Sequence, residues 1–197
     1  MVSESEIFDK FKEIVASSLR VEPDRVTWGS HLDTDLGAES LDLIEITMEA
    51  ESAFNIWISE KNILDIATET FGEGVLQKDG VLTEAGKQLL RRRLPEADAG
   101  LFEGEVTVKD LQRYFLRVGT WVQMISNLAN ASPRECAKCG GNLVPATGLR
   151  MKCVDCAEEV ALPSGEELNA KWVQDYYRNE YLPSLNQLAG ERSATSV

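Results

Sequence analysis

Asp35-Leu36-Gly37-Ala38-Glu39-Ser40-Leu41-Asp42 is the stretch that decides the fold. It places a serine where a glycine-bearing loop gives way to an acidic amphipathic segment, and serine is a favoured residue at helix starts. The spacing predicts a helix from about Ser40, with Leu41, Leu43, Ile44, Met48 and Phe54 on one broad apolar arc. Asp42, Glu45 and Glu49 fall within about 60° of each other on the other side, while Glu51 intrudes on the apolar arc. Backbone N–H groups and the dipole at such a helix start favour an attached phosphate by about 0.3 to 1 kcal/mol, so the Ser40 hydroxyl suits a phosphodiester. Gly37 and Ala38 leave the approach to it uncrowded.

Upstream, Ser3 and Glu6 form a capping-box pattern ahead of Ile7, Phe8, Phe11, Ile14, Val15 and Leu19, which predicts a first helix to about Leu19. Val21 to Gly37 shows neither helical nor strand period and reads as a long loop. Downstream, Ile56 and Ile58 alternate inward, which exposes Trp57 and makes it a candidate docking contact for a partner or else a cover for the insertion. Ser59 is placed to cap a further helix through about Glu69. Leu111, Phe115, Val118, Val122 and Ile125 predict one long helix from Thr107 to about Asn130. Between these helices Phe71 to Glu105 reads as an insertion: a turn at Lys78-Asp79-Gly80, then a helix capped by Thr83 and carrying Leu89, Leu90 and Leu94.

With this pattern the chain resembles the acyl carrier protein family, whose motif is Asp-Ser-Leu preceded by Asp-Leu-Gly-Ala; here Glu39 stands where that family has Asp. The likeness extends over the first helix, the long loop, the second helix through Phe54 to Ile58, and Val106 to Leu111. The resemblance implies that Ser40 receives 4'-phosphopantetheine from coenzyme A and that the thiol at the end of that arm carries acyl groups as thioesters. It also implies partners: a phosphopantetheinyl transferase, and acyl-loading and acyl-processing enzymes whose basic patches meet Asp42, Glu45 and Glu49.

All four cysteines fall at Cys136, Cys139, Cys153 and Cys156, two C-x-x-C pairs thirteen residues apart. Each pair can turn two sulfurs toward one ion, and four thiolates make a closed tetrahedral site with no open position for water or substrate. With a hairpin in Asn142 to Lys152 and a third strand in Glu159 to Leu162, the segment looks like a zinc ribbon. The spacing is slightly shorter than the commonest ribbon pattern, which leaves iron or a redox dithiol open beside zinc. His31, the single histidine, reads as a surface loop residue rather than a ligand.

A formal net charge of −13 at pH 7 argues against general binding to nucleic-acid phosphates, despite the run Arg91-Arg92-Arg93 and an L-T-x-x-G phrase at Leu82 to Gly86 that resembles one common in winged-helix proteins. No apolar run is long enough to cross a bilayer and the N-terminus is acidic, so no membrane insertion and a cytoplasmic location are expected. No nucleophile and base pair stands out, so a carrier rather than an enzyme is expected. The expected architecture is mainly α: a carrier-like helical bundle over 1–130 with 71–105 inserted, a small β zinc ribbon over 131–163, a C-terminal helix over 164–190 with Leu168, Trp172 and Tyr176 on one face, and a disordered tail over 191–197. The half beyond a basic carrier points to a dedicated lipid or polyketide pathway. The rival reading is a zinc-ribbon interaction or transcription-related protein whose Ser40 is never modified.

Overall fold

A computed structural model describes residues 3–94, 97 and 99–185. It is mainly helical, and the chain divides into two compact units, Met1–Ile58 with Leu111–Gly165 and Ser59–Asp110 with Glu166–Val197. The expected tail over 191–197 and the last residues of the C-terminal helix lie outside the described residues.

In the first unit, α1 (Glu4–Leu19) opens on the expected capping box, with Ser3 Oγ accepting from the Glu6 N–H and the Glu6 carboxylate accepting from the Ser3 N–H at 2.8 Å. Its buried face, Ile7, Phe11, Ile14 and Val15, meets Ile46 and Ala50 of α2 (Ser40–Phe54), then Ile56 and Ile58, and Val118, Val122 and Ile125 of α6 (Val118–Ala131). Phe11 stacks on Trp121 with ring centroids 5.5 Å apart. Burial of these side chains, each worth about 1.5 to 3 kcal/mol, is what holds the helices together.

Two expectations need correction here. The buried face of α2 is Ile46 and Ala50, flanked by half-buried Leu43, Ala53 and Phe54, whereas Leu41, Ile44 and Met48 stand 79%, 56% and 64% exposed. The helix carries more apolar residues than its core face can hold, and two alanines supply part of that face. Glu51 turns to the following extended segment, its Oε1 accepting from the Ile58 N–H at 2.8 Å. The long helix expected from Thr107 is two, α5 (Val108–Phe115) and α6, broken at Leu116-Arg117. The backbone there serves the long loop instead: the Leu116 carbonyl accepts from the Leu32 N–H at 2.9 Å, and the N–H groups of Val118 and Gly119 donate to Ser30 and Trp28 at 2.9 Å each. Arg117 is accordingly extended, with φ −76 and ψ 137.

The same unit holds an antiparallel sheet in the order β3-β4-β5, from β3 (Leu143–Ala146), β4 (Arg150–Cys153) and β5 (Glu159–Ala161). Its pairings, Leu143 with Cys153 and Met151 with Val160, put Leu143, Met151, Cys153, Leu162 and Cys136 into a small core of their own.

In the second unit, α3 (Ile63–Phe71) begins later than expected. Its cap is Asn62, whose side chain accepts from the Asp65 N–H at 3.0 Å, while the Ser59 hydroxyl donates to the Lys61 carbonyl. β1 (Gln77–Lys78) and β2 (Val81–Leu82) form a hairpin about the expected turn, with Asp79 and Gly80 both at positive φ, 52 and 79, as a two-residue turn of this hand requires. Thr83 caps α4 (Glu84–Arg93) through the Gly86 N–H. Arg91 pairs with Glu84 at 3.1 Å, Arg92 with Glu180 at 3.2 Å, and Arg93 bonds Asn169 while lying over the Trp172 ring. α7 (Gly165–Tyr176) continues into a π turn, Tyr177–Tyr181, and Phe71 packs against the rings of Tyr176, Tyr177 and Tyr181.

Candidate attachment site and metal centre

The loop before α2 is fixed from below. Leu32 and Leu36 are buried, the Ala38 N–H donates to the Leu32 carbonyl at 2.8 Å, and the N–H groups of Asp35 and Leu36 both donate to the His31 carbonyl. Asp35 returns a carboxylate oxygen to the His31 N–H at 2.9 Å. His31 lies in the loop, half-buried rather than fully at the surface, and its Nε2 accepts from Arg117 Nε at 3.1 Å. Gly37 takes φ 79, and a Cβ built there would meet nothing within 4 Å. The glycine is therefore called for by the turn, and the space above it is open.

On this base Glu39 is the N-cap of α2 and Ser40 its first residue. The Glu39 N–H donates to Asp42 Oδ2 at 2.8 Å, so Asp42 closes the helix start while remaining partly exposed. Ser40 is exposed, its hydroxyl in solvent beside the first-turn N–H groups. Around the helix, Ile44, Met48 and Leu41 make an apolar stripe directly beside the acidic stripe of Glu45, Glu49 and Asp42, as 100° per residue dictates. The acidic residues lie where they are expected. Helical spacing puts these apolar neighbours on the same broad arc as the core residues; the signal against that is an apolar count exceeding one helix face. Trp57 is 45% exposed between buried Ile56 and Ile58, as alternation predicts.

The four cysteines come together. Their sulfurs lie within 4.8 Å of one another, with Cys136 to Cys156 at 3.7 Å, Cys139 to Cys153 at 3.5 Å and Cys139 to Cys156 at 3.4 Å. A zinc ion with Zn–S bonds of about 2.3 Å holds tetrahedral sulfurs about 3.8 Å apart, so the donor set fits with small outward adjustments. The two cysteine turns are built alike. The Gly140 N–H donates to the Cys136 carbonyl and the Ala157 N–H to the Cys153 carbonyl, while the N–H groups of Cys136 and Cys153 reach the carbonyls of Gly141 and Glu158.

Backbone donors also face the sulfurs. The Cys156 N–H, then that of Asp155, draw the Cys153 thiol down to about 7 against desolvation. At Cys139 the Gly141 N–H pulls downward but the sulfurs of Cys156 and Cys153 outweigh it, and the thiol is pushed up to about 12. At Cys156 the Glu158 N–H is likewise outweighed by desolvation and the Cys153 and Cys136 sulfurs, so this thiol also moves up. Four crowded sulfurs cannot all ionise unaided; a divalent cation at their centre would supply the missing charge. Lys138 bridges to Glu158 at 2.8 Å from one turn to the other, and its ammonium is held charged by that carboxylate and further by Cys156.

Residues 9–68, which contain Ser40, match the family model described as phosphopantetheine attachment site. Among curated relatives, the acyl carrier protein of Thermotoga maritima is 40% identical over 68 residues, 34% of this chain and 84% of that protein. Those of Wolinella succinogenes and Petrotoga mobilis are 45% identical over 62 residues and 37% over 67, covering 82% and 79% of their lengths and 32% and 34% of this chain. The chain belongs to the acyl carrier protein family, with a cysteine module compatible with a zinc ribbon beside the carrier fold. Among the described residues no helix is long and apolar enough to cross a membrane.

Proposed function

We propose that this protein carries acyl intermediates as thioesters on a 4'-phosphopantetheine arm joined to Ser40 Oγ through a phosphodiester. The observation that carries the reading is an exposed Ser40 at the first position of α2, on a loop pinned by Leu32, Leu36 and the His31 carbonyl, inside the segment that matches the attachment-site family. The hydroxyl takes the phosphopantetheine group from coenzyme A on a phosphopantetheinyl transferase. The chain itself supplies presentation and docking rather than catalysis.

Acyl-loading and acyl-processing enzymes dock on α2, where basic patches meet Asp42, Glu45 and Glu49 and an apolar surface meets Leu41, Ile44 and Met48. Such a surface combines steering charge with area that can be desolvated. Trp57, at the far end of the helix from Ser40, extends it. Cys136, Cys139, Cys153 and Cys156 hold a structural zinc ion, which closes the small β module; the module and the second unit suit a carrier dedicated to one lipid or polyketide pathway. The carrier module comprises α1, the long loop, α2 and the segment to Ile58, together with α6. Incubation with coenzyme A and a broad-specificity transferase tests the function: one arm on the wild type supports it, and none under conditions that load an ordinary carrier leaves the rival reading of an unmodified zinc-ribbon interaction protein.

A further inference from the structure

The four cysteines divide by exposure. Cys139 and Cys156 are exposed, whereas Cys136 and Cys153 are buried, at 3% and 1% accessible. The exposed pair, one from each turn, brings its sulfurs to 3.4 Å. The turns are also tied to each other without any ion. The Val154 N–H donates to the Asn142 carbonyl at 3.0 Å, and Lys138, next to Cys139, pairs at 2.8 Å with Glu158, two residues past Cys156. The chain itself therefore holds two adjacent sulfurs on the outside of the cluster.

Thiolates are the nucleophilic form of cysteine, and zinc neither gives nor takes electrons. A small oxidant arriving from solvent meets Cys139 or Cys156 first, because the other two sulfurs are buried. From Cys139 the sulfurs in reach are Cys156 at 3.4 Å and Cys153 at 3.5 Å; from Cys156 they are Cys139 at 3.4 Å and Cys136 at 3.7 Å. A bond between Cys139 and Cys156 is the product common to both starting points. It requires the sulfurs to close to about 2.05 Å.

We propose that Cys139 and Cys156 form an oxidation site for peroxides, whose disulfide ejects the metal and releases the β module from the carrier helices. This rests on the reading of the four cysteines as a metal site and adds reversible control to it. One exposed thiolate attacks hydrogen peroxide, the O–O bond breaks, and the sulfur keeps one OH as a sulfenic acid while hydroxide leaves. The second thiolate attacks that sulfur and displaces the other hydroxide, and two protons from solvent complete two waters. The two sulfurs give up the two electrons that the peroxide gains. The buried pair that remains, Cys136 and Cys153, cannot close a tetrahedral site, so the ion leaves. The contact of Met151 with Asn55 goes with the sheet, while the core of α1, α2 and α6, which shares no residue with it, stays folded. The disulfide is exposed, so thiols restore the reduced pair.

The test uses the full chain with zinc bound and no arm attached, so that its four cysteines are its only thiols. Hydrogen peroxide should release one zinc, read with a zinc-binding dye, for each disulfide formed. Peptide mapping, with cleavage after Lys138 and before Asp155 to separate the cysteines, should join Cys139 to Cys156. Backbone signals of Leu143 to Ala161 should collapse while those of α1 and α2 persist, and a thiol reductant with fresh zinc should restore them. In Cys156→His, where three thiolates and an imidazole still close a zinc site, release should be several-fold slower. A disulfide within either turn, a sulfinic acid at Cys139 with no crosslink, or release from Cys156→His at the wild-type rate overturns the pair. Zinc retained by the wild type under peroxide overturns the switch while leaving the metal site intact. A chain that binds no zinc beforehand overturns both.

Discussion

Asn55 Nδ2 donates to Met151 Sδ at 3.4 Å, joining the residue that caps the end of α2 to the middle strand of the cysteine module. A second link, the Gly165 N–H to the Trp57 carbonyl at 2.7 Å, lies close by in sequence. Both contacts fall at the end of α2 away from Ser40, and the first is a weak N–H···S bond. The core of α1, α2 and α6 contains no residue of the sheet.

Removal of metal should therefore unfold the β module and spare the helices. The module's core is five buried residues, two of them cysteines, so a bound ion would supply most of its folding free energy. A strong chelator, or Cys136→Ser, should erase the sheet signals while α1, α2 and α6 keep theirs and Ser40 is modified at an unchanged rate. Metal content and residue-resolved helicity decide it. A Cys136→Ser protein that retains one zinc per chain refutes the four-thiolate site; loss of α1 with the sheet refutes the independence of the two.

Reversal of Glu45 and Glu49 to Lys should slow association with carrier-processing enzymes, and added salt should do the same to the wild type, because exposed charges are screened over about 8 to 10 Å near physiological ionic strength. Met48→Ser and Ile44→Ser should act differently, raising the dissociation rate at little change in association rate, since they remove desolvated area rather than charge. Neither pair should lower Tm appreciably, given the exposure of these side chains. Surface-binding kinetics separate the two effects; unchanged rates in all four variants place docking elsewhere.

Much of this architecture is legible in the sequence, and the failures have physical causes. The capping box at Ser3 and Glu6, the Lys78-Asp79-Gly80 turn and the three ribbon strands rest on local chemistry, and each forms where its residues predict. The core face of α2 was not legible because Ala50 and Ala53 carry little apolar signal while outward Leu41, Ile44 and Met48 carry much. The break between α5 and α6 was hidden because its cause lies about 85 residues away in the chain, in the carbonyls and N–H groups of Trp28 to Leu32. Ser59 and Asn62 are both good caps, and local sequence does not choose between them. That the four cysteines would come together and that Ser40 would open a helix were legible, since residue type and spacing set both.

Two glycines should respond unequally to alanine. At Gly86 a Cβ would sit 2.1 Å from the Leu76 carbonyl oxygen, a backbone atom that cannot step aside, so Gly86→Ala should cost about 1 to 3 kcal/mol in the second unit. At Gly119 the clash, 2.4 Å, is with the Trp28 indole, a side chain 44% exposed and free to swing outward. Gly119→Ala should cost less and move Trp28 fluorescence toward that of a solvated indole. Chemical denaturation with a single-tryptophan reporter checks both, and equal costs would contradict the packing described.

Acid should loosen the first turn of α1. The Ser3 N–H, then the Ser3 hydroxyl, hold the Glu6 carboxyl below its ordinary value. A depressed acid contributes stability above its unfolded value and loses it as pH falls through the folded one. Exchange protection of the Glu6 amide should therefore decline as pH falls below the ordinary carboxylate range, and Glu6→Gln should remove most of that pH dependence. Protection that is flat with pH in the wild type would contradict the capping geometry.

Attachment at Ser40 is read out by intact mass and peptide mapping after incubation with coenzyme A and a transferase. One phosphopantetheine should appear on the wild type, mapped to the peptide spanning Asp35 to Asp42, and none on Ser40→Ala with its fold unchanged. An arm on Ser40→Ala, or an unmodified wild type where an ordinary carrier is fully loaded, would contradict it.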